Sequence, residues 1–258
     1  MAIRCQFDAD VARISLDAPG RQNALSVAMW RDLRSAVEEA GSREAVRCIV
    51  LRGAGGHFAA GADISEFPRE RFDIDSGRRY HLDLIAPALH ALQRAPQPVI
   101  AAIEGSCVGG GLEIAGVCDL RIGAHGCRLG APVGRLGFPL ALPELSPLLR
   151  LVGPALLSDL LLTGRLLDAD QALAAGLLQR VVAPEAFEAE VERAIDAIRA
   201  GSPLAARLNK HNIRMLTEQG GAFSDAQLDS SFDFFASADY AEGMQAFLAR
   251  RKPVFSGR

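Results

Sequence analysis

Val99-Ile100-Ala101-Ala102-Ile103-Glu104-Gly105-Ser106-Cys107-Val108-Gly109-Gly110-Gly111-Leu112-Glu113 passes from an unbroken apolar run into a glycine-rich turn and then into a segment carrying Ile114, Ala115 and Val117. The short continuous apolar run after Pro96 and Pro98 reads as a strand, and the segment after the triplet as a short apolar helix. Upstream, Val46 to Leu51 is a second strand, and the glycine-rich loop Gly53 to Gly61 follows it, ending in His57-Phe58-Ala59-Ala60-Gly61-Ala62-Asp63. Strand, glycine turn and helix therefore recur, which is the pattern of an α/β layer architecture.

Working further outward, residues 4–8 and 11–16 alternate apolar and polar around Asp8-Ala9-Asp10, as a β-hairpin does. Leu25-Ser26 opens a helix, capped by Ser26, with Trp30, Leu33, Val37 and Ala40 on one face and Gly41 at its end. A helix from about Ile74 to Gln93 is expected to bury Leu82, Ile85, Leu89 and Leu92. Short strands are expected at Leu120 to Ile122, Cys127 to Leu129 and Leu178 to Val182, and an amphipathic helix through Phe187, Val191, Ile195 and Ile198. Gly201-Ser202-Pro203 then divides an α/β core, residues 1–200, from a helical segment, residues 201–258. That segment is too short to bury Phe232, Phe234, Phe235 and Phe247 alone, so it should pack on the body or on a neighbouring copy.

A chain of 258 residues with 49% hydrophobic content supports one sizeable core. The net charge of −3 gives no basic field for nucleic acid. Arg, Asp, Gly or Pro interrupts each apolar stretch short of a membrane span, and Met1 to Asp10 lacks the apolar core of a secretory signal. Five cysteines without a C-x-x-C pair argue against a disulfide framework or zinc, and point to a reducing cytoplasm. Lysine occurs only at Lys210 and Lys252, neither after a glycine-rich loop, which excludes a Walker-type phosphate site. His57, His81, His90, His125 and His211 lack metal-ligand spacing and read as structural or surface residues, so no metal is expected.

The chemistry should sit at the two glycine turns. Glycine lets backbone N–H groups approach a ligand, and a helix start leaves such donors unpaired, so the turns together suit an oxyanion hole. Glu113 follows Gly110 by one helical turn, where the helix dipole favours a carboxylate and where it can move protons next to that hole.

The two turns, in this order and spacing, resemble the signature regions of the enoyl-CoA hydratase/isomerase (crotonase) family. The match runs through Asn23-Ala24-Leu25-Ser26, Val50-Leu51-Arg52-Gly53-Ala54-Gly55, Phe58 to Ile64, Ile103 to Glu113, Cys118-Asp119-Leu120, Leu162-Thr163-Gly164-Arg165, Ala174 to Leu178 and Glu242 to Phe247. The resemblance implies a spiral of β-β-α units followed by a C-terminal helical segment, and an enzyme that stabilises a thioester enolate. It assigns the carbonyl-binding N–H groups to Ala62 and Gly110, and the principal acid/base to Glu113. Each oxyanion donor is worth roughly 3 to 4 kcal/mol in a dry site.

By the same resemblance Asp63 and Ile64 match the segment that lines the adenine side of coenzyme A, and Ala60 belongs to the coenzyme A site. Phe247, Arg250 and Lys252 match the tail that borders the nucleotide, sometimes in a neighbouring subunit. Coenzyme A arrives with the substrate, so no separate cofactor is implied, and the expected assembly is a trimer or a dimer of trimers. Replacing Gly110 by Val is expected to abolish turnover in an intact fold by pushing a Cβ into the ligand's path.

One departure from the pattern matters. Val133, in Pro132-Val133-Gly134, stands where the family's hydratases carry a second glutamate, and the position after Leu136-Gly137 where other members place an acid is Ala141. Glu144, after Pro143, is the nearby acid that can substitute, although a carboxylate there also suits a helix start. Water addition is helped by two carboxylates, so Val133 weakens the hydratase reading, while a single carboxylate can still shuttle a proton between two carbons. Enoyl-CoA double-bond chemistry, hydration or isomerisation, is the first reading; a decarboxylase or other crotonase-type lyase, or a decayed acyl-CoA binder, is the alternative. A separate reading takes Gly105-Ser106-Cys107-Val108-Gly109 as the nucleophile elbow of an α/β-hydrolase with cysteine for serine.

Overall fold

A computed structural model describes residues 2–221 and 223–258. β1 (Ala2–Asp8) and β2 (Val11–Asp17) form the expected antiparallel hairpin, turning at Ala9, where φ is 51°. α1 (Val27–Ser42) starts at Ser26, whose Oγ accepts from the Met29 N–H. It runs past Gly41 to an Arg43 cap, so that glycine does not end it. β3 (Cys48–Gly53) follows, two residues later than the apolar run suggests, then α2 (Phe67–Glu70) and α3 (Ile74–Arg79).

Between α3 and α4 (Ala86–Arg94) the chain makes a π-helical turn, Tyr80–Ile85. Its wider turn places Tyr80 and Ile85 inside, five residues apart, and leaves Leu82 43% exposed, against the expectation that Leu82 is buried. β4 (Val99–Ile103), β5 (Ser106–Val108) and α5 (Gly110–Val117) are the strand, turn and helix read from the opening stretch. β6 (Leu120–Ala124), β7 (Arg128–Gly130), α6 (Leu142–Thr163), β8 (Leu167–Asp168), α7 (Ala169–Ala174), β9 (Arg180–Val182) and α8 (Phe187–Ala200) complete the body. α9 (Pro203–Gln219), α10 (Asp225–Ser230) and α11 (Ala238–Leu248) close the chain.

Among the described residues α6 alone is long and apolar enough to cross a membrane, which corrects the expectation that no stretch reaches that length. It is two helices joined at Gly153, where φ is 72° and ψ 168°, with Pro147 and Pro154 inside it. Glu144, Arg150 and Asp159 also lie along it.

β1-β2-β3-β4-β6-β9 form one sheet, parallel apart from the hairpin, and β5-β7-β8 form a second. Parallel bridges Leu25↔Ala62 and Ala59↔Cys107 continue the second sheet across two loops. The chain thus visits the large sheet, then the small one, then a helix, at β2-Leu25-α1, β3-Ala59-α2, β4-β5-α5 and β6-β7-α6. That repeat is the expected spiral of β-β-α units.

Both faces of the large sheet are covered, as a parallel sheet requires. Ile14, Ile49, Leu51, Val99 and Ala101 face the main core with Trp30, Leu33 and Leu89. The alternate residues Cys48, Val50, Ile100 and Ile122 face Phe187, Val191 and Ile195 of α8. Each large side chain so buried contributes about 1.5–3 kcal/mol relative to exposure.

Candidate active site

The cavity lies where segments leave the small sheet for helices, at Ala62, Gly110 and Val133. Ala62 is turned by its own bridge. Leu25 donates to Gly61 O at 2.7 Å and accepts from the Asp63 N–H at 2.8 Å, so the Ala62 N–H faces away from Leu25. The next strand is locked by Ala59 N–H to Ser106 O at 2.8 Å, Val108 N–H to Ala59 O at 2.9 Å and Gly109 N–H to Gly130 O at 2.9 Å. Gly110 is the first helical residue, so its N–H has no carbonyl one turn behind it. Among the described residues nothing accepts from the N–H of Ala62 or of Gly110.

The two loops touch. A Cβ on Gly61, whose φ is +105°, would stand 3.1 Å from Val108 O and 3.7 Å from Gly110 N. A Cβ on Gly110 would instead stand 2.9 Å from Trp30 Cζ2 and 3.2 Å from Leu25 Cδ1. Glycine is therefore required at Gly110 by the core behind the turn. The expectation that a side chain there would enter the ligand's path in an intact fold is corrected.

Ala60, Ala62, Asp63, Ile64, Gly110, Glu113 and Glu144 line one cavity of about 430 Å³. Glu113 is 4% exposed, and its N–H donates to Gly109 O at 3.0 Å. No described residue donates to its carboxyl. Burial pushes the Glu113 carboxyl well above the carboxylate range, Glu144 adds to the rise, and Arg71 opposes it. Glu144 is as buried, but both its oxygens are engaged: Oε1 meets His81 Nδ1 at 2.5 Å and Oε2 accepts from the Ala141 N–H at 3.2 Å. It is thus the helix-start carboxylate expected after Pro143, and it also lines the cavity, where its charge bears on Glu113. Val133 lines the same cavity.

Asp63 caps a 3₁₀ turn, Ile64–Glu66, through Ser65 N–H at 3.1 Å, and pairs with Arg21. The Ser65 hydroxyl, more than it loses to burial, holds the Asp63 carboxyl low. Glu66 Oε2 accepts from the Val27 N–H at 2.7 Å, which ties the loop of Ala62 to the start of α1. Asn23 Nδ2 donates to Ala54 O at 2.8 Å and His57 O at 2.7 Å, fixing the same loop from behind. Phe247, Arg250 and Lys252 lie outside this lining; Phe247 is 78% exposed at the end of α11.

His81 is not the bystander its isolated position suggests, because the π turn brings it to Glu144. Tyr80 and Arg71, which no motif marks, share the cavity wall. Tyr80 is 4% exposed, and burial raises its hydroxyl above the ordinary phenol range. Cys107 is fully buried in the main core and burial raises its thiol well above the ordinary range, so the turn presents no thiolate nucleophile.

A sequence model described as enoyl-CoA hydratase/isomerase matches residues 6–258. A probable enoyl-CoA hydratase of Rhizobium meliloti is 37% identical over 251 residues, 96% of this chain and 95% of that one. A crotonyl-CoA hydratase of Syntrophomonas wolfei is 34% identical over 248 residues, 95% and 94% of the two chains. The crystal structure of an enoyl-CoA hydratase/carnithine racemase from Magnetospirillum magneticum superposes with a TM-score of 0.96 at 42% identity, covering 99% of this chain and 96% of that one. Since the likeness runs through the loops, the triplet and the C-terminal helices alike, the chain belongs to the enoyl-CoA hydratase/isomerase family.

Proposed function

We propose that the cavity holds an enoyl-CoA thioester with its carbonyl oxygen between the N–H groups of Ala62 and Gly110, and that Glu113 moves the proton at the carbon beside it. The observation that carries this reading is the coincidence, in one cavity, of two N–H groups and a buried carboxyl that are all without a hydrogen-bond partner among the described residues. The two donors stabilise the enolate oxygen, and a carboxyl whose proton is held by burial is suited to general acid/base work near neutral pH. The reaction is hydration or double-bond shift. Glu144, held by His81, supplies the second carboxyl that Val133 does not, and orients water for addition.

Coenzyme A enters with the substrate and no separate cofactor is used. Asp63 and Ile64 border its adenine and Ala60 belongs to its site, while Phe247, Arg250 and Lys252 of a neighbouring copy in a trimer, or a dimer of trimers, cover its nucleotide. Residues 1–200 act as the catalytic core and 201–258 as the assembly segment, in the cytoplasm, where the five free thiols stay reduced.

Hydration of a short enoyl-CoA by wild type, Glu113→Gln, Glu144→Gln and Val133→Glu tests the assignment. Both glutamine variants should lose about 10²-fold or more in kcat. If Glu144→Gln is unaffected while Val133→Glu gains that factor, Glu144 is not the second acid and the enzyme is biased towards proton transfer. Efficient hydration by folded Glu113→Gln contradicts the reading altogether.

A further inference from the structure

The ionisable side chains of the cavity wall fall into two pairs, with the Glu113 carboxyl and one cation left over. Arg21 is met by Asp63, and Glu144 by His81. Arg71 lines the same cavity, yet among the described residues no carboxylate or carbonyl accepts from its guanidinium. It is nonetheless held in place. Its guanidinium carbon stands 4.3 Å from the ring centre of Phe67, 4.3 Å from that of Phe138 and 5.5 Å from that of Tyr80. Phe67 and Phe138 meet edge to face at 70°, so the guanidinium sits in a corner of aromatic faces.

Aromatic faces stabilise a cation but accept none of its five N–H bonds. The guanidinium is half-buried, and its donors stay open to the cavity, where an anionic group of a ligand can replace water on them. Arg71 also acts on the reacting group: burial and Glu144 raise the Glu113 carboxyl and Arg71 pulls it down, which puts the guanidinium within electrostatic reach of Glu113.

We propose that Arg71 anchors a carboxylate at the far end of the acyl chain, so that this site takes enoyl-CoA thioesters of short dicarboxylic acids. The inference rests on the acyl-CoA reading above and narrows its substrate class. A guanidinium offers a carboxylate two parallel N–H bonds, whereas a methyl terminus would leave the same donors unpaired. The chemistry recognised is an anionic oxygen, and the other source of one is the phosphates of coenzyme A.

Two measurements separate these sources. The first is the affinity of glutaryl-CoA against hexanoyl-CoA by calorimetry, and of the matching pantetheine thioesters, which lack the nucleotide. The second is kcat/KM for glutaconyl-CoA against 2-hexenoyl-CoA. Wild type should prefer the carboxylated ligand by about 10-fold to 10²-fold, as expected of two charge-assisted hydrogen bonds. The preference should survive in the pantetheine thioesters, shrink partly in Arg71→Lys and fall to within about threefold in Arg71→Leu.

Equal or tighter binding of hexanoyl-CoA by wild type overturns the proposal, as does an undiminished preference in folded Arg71→Leu. Loss of affinity for both CoA thioesters alike, absent with pantetheine, assigns Arg71 to a phosphate instead and also overturns it. Should Arg71→Leu not fold by circular dichroism, wild type and Arg71→Lys decide. If 2-hexenoyl-CoA is turned over through Glu113 without a preference for carboxylate, only the role of Arg71 fails. If no acyl-CoA binds, the underlying reading fails with it.

Discussion

Glu113 and Glu144 face one cavity, and the negative charge of Glu144 disfavours ionisation of Glu113. Burial and Glu144 both raise Glu113, so the folded chain keeps a proton that the unfolded chain releases in the ordinary carboxylate range. Stability therefore falls as pH rises from that range up through the raised value, because the native state binds more protons across it. Glu113→Gln, neutral at every pH, should be more stable than wild type above that range, with an advantage in thermal melts that grows as pH rises through it. Parallel melting curves for the two proteins would mean Glu113 ionises as freely as a surface carboxylate. Glu113 was legible from the sequence because its position one turn after Gly110 is local. His81, Tyr80 and Arg71 were not, because only the tertiary fold brings residues 71–81 beside residues 113 and 144.

At the scale of elements, one lysine fastens the C-terminal segment to the body. Lys210, on α9, reaches Asp119 Oδ2 at 2.7 Å, Gln97 O at 3.0 Å and Leu92 O at 3.3 Å, with 7% of its side chain exposed. Asp119 Oδ2 in turn accepts from the Val99 N–H at 2.7 Å, so the same contact pins the start of β4. Lys210→Met should destabilise α9 by ~2 kcal/mol, by leaving these acceptors without their charged donor. Native-state hydrogen exchange reads this directly: faster exchange in α9 is expected, and unchanged protection there would show that its apolar contacts suffice.

Strands β2 to β4 and helices α1, α5 and α8 were legible because alternation and the 3.6-residue period record which faces are buried. The bridges at Leu25 and Ala59 were not, since a single paired residue leaves no period. The π turn escaped for the opposite reason, because its five-residue step breaks the period that Leu82, Ile85 and Leu89 otherwise suggest.

At the scale of the molecule, Phe232, Phe235, Phe247 and Leu248 stand 59%, 56%, 78% and 76% exposed on the last turns of chain. A groove of about 700 Å³, lined by Leu208, Met215, Phe234, Tyr240 and Phe255, opens between α9 and those turns. So much apolar surface on one segment is what a subunit contact covers. Sedimentation should give a trimer or its double, and a monodisperse monomer at micromolar concentration would remove the neighbouring tail from the nucleotide site.

The central claim, that this cavity stabilises a thioester enolate with Glu113 as the proton carrier, is independent of acyl specificity. Deuterium incorporation from heavy water at the α-carbon of butyryl-CoA follows enolate formation alone. Wild type should incorporate it, and Glu113→Gln should do so at least about 10²-fold more slowly. Incorporation at the wild-type rate by a folded Glu113→Gln enzyme would contradict the account.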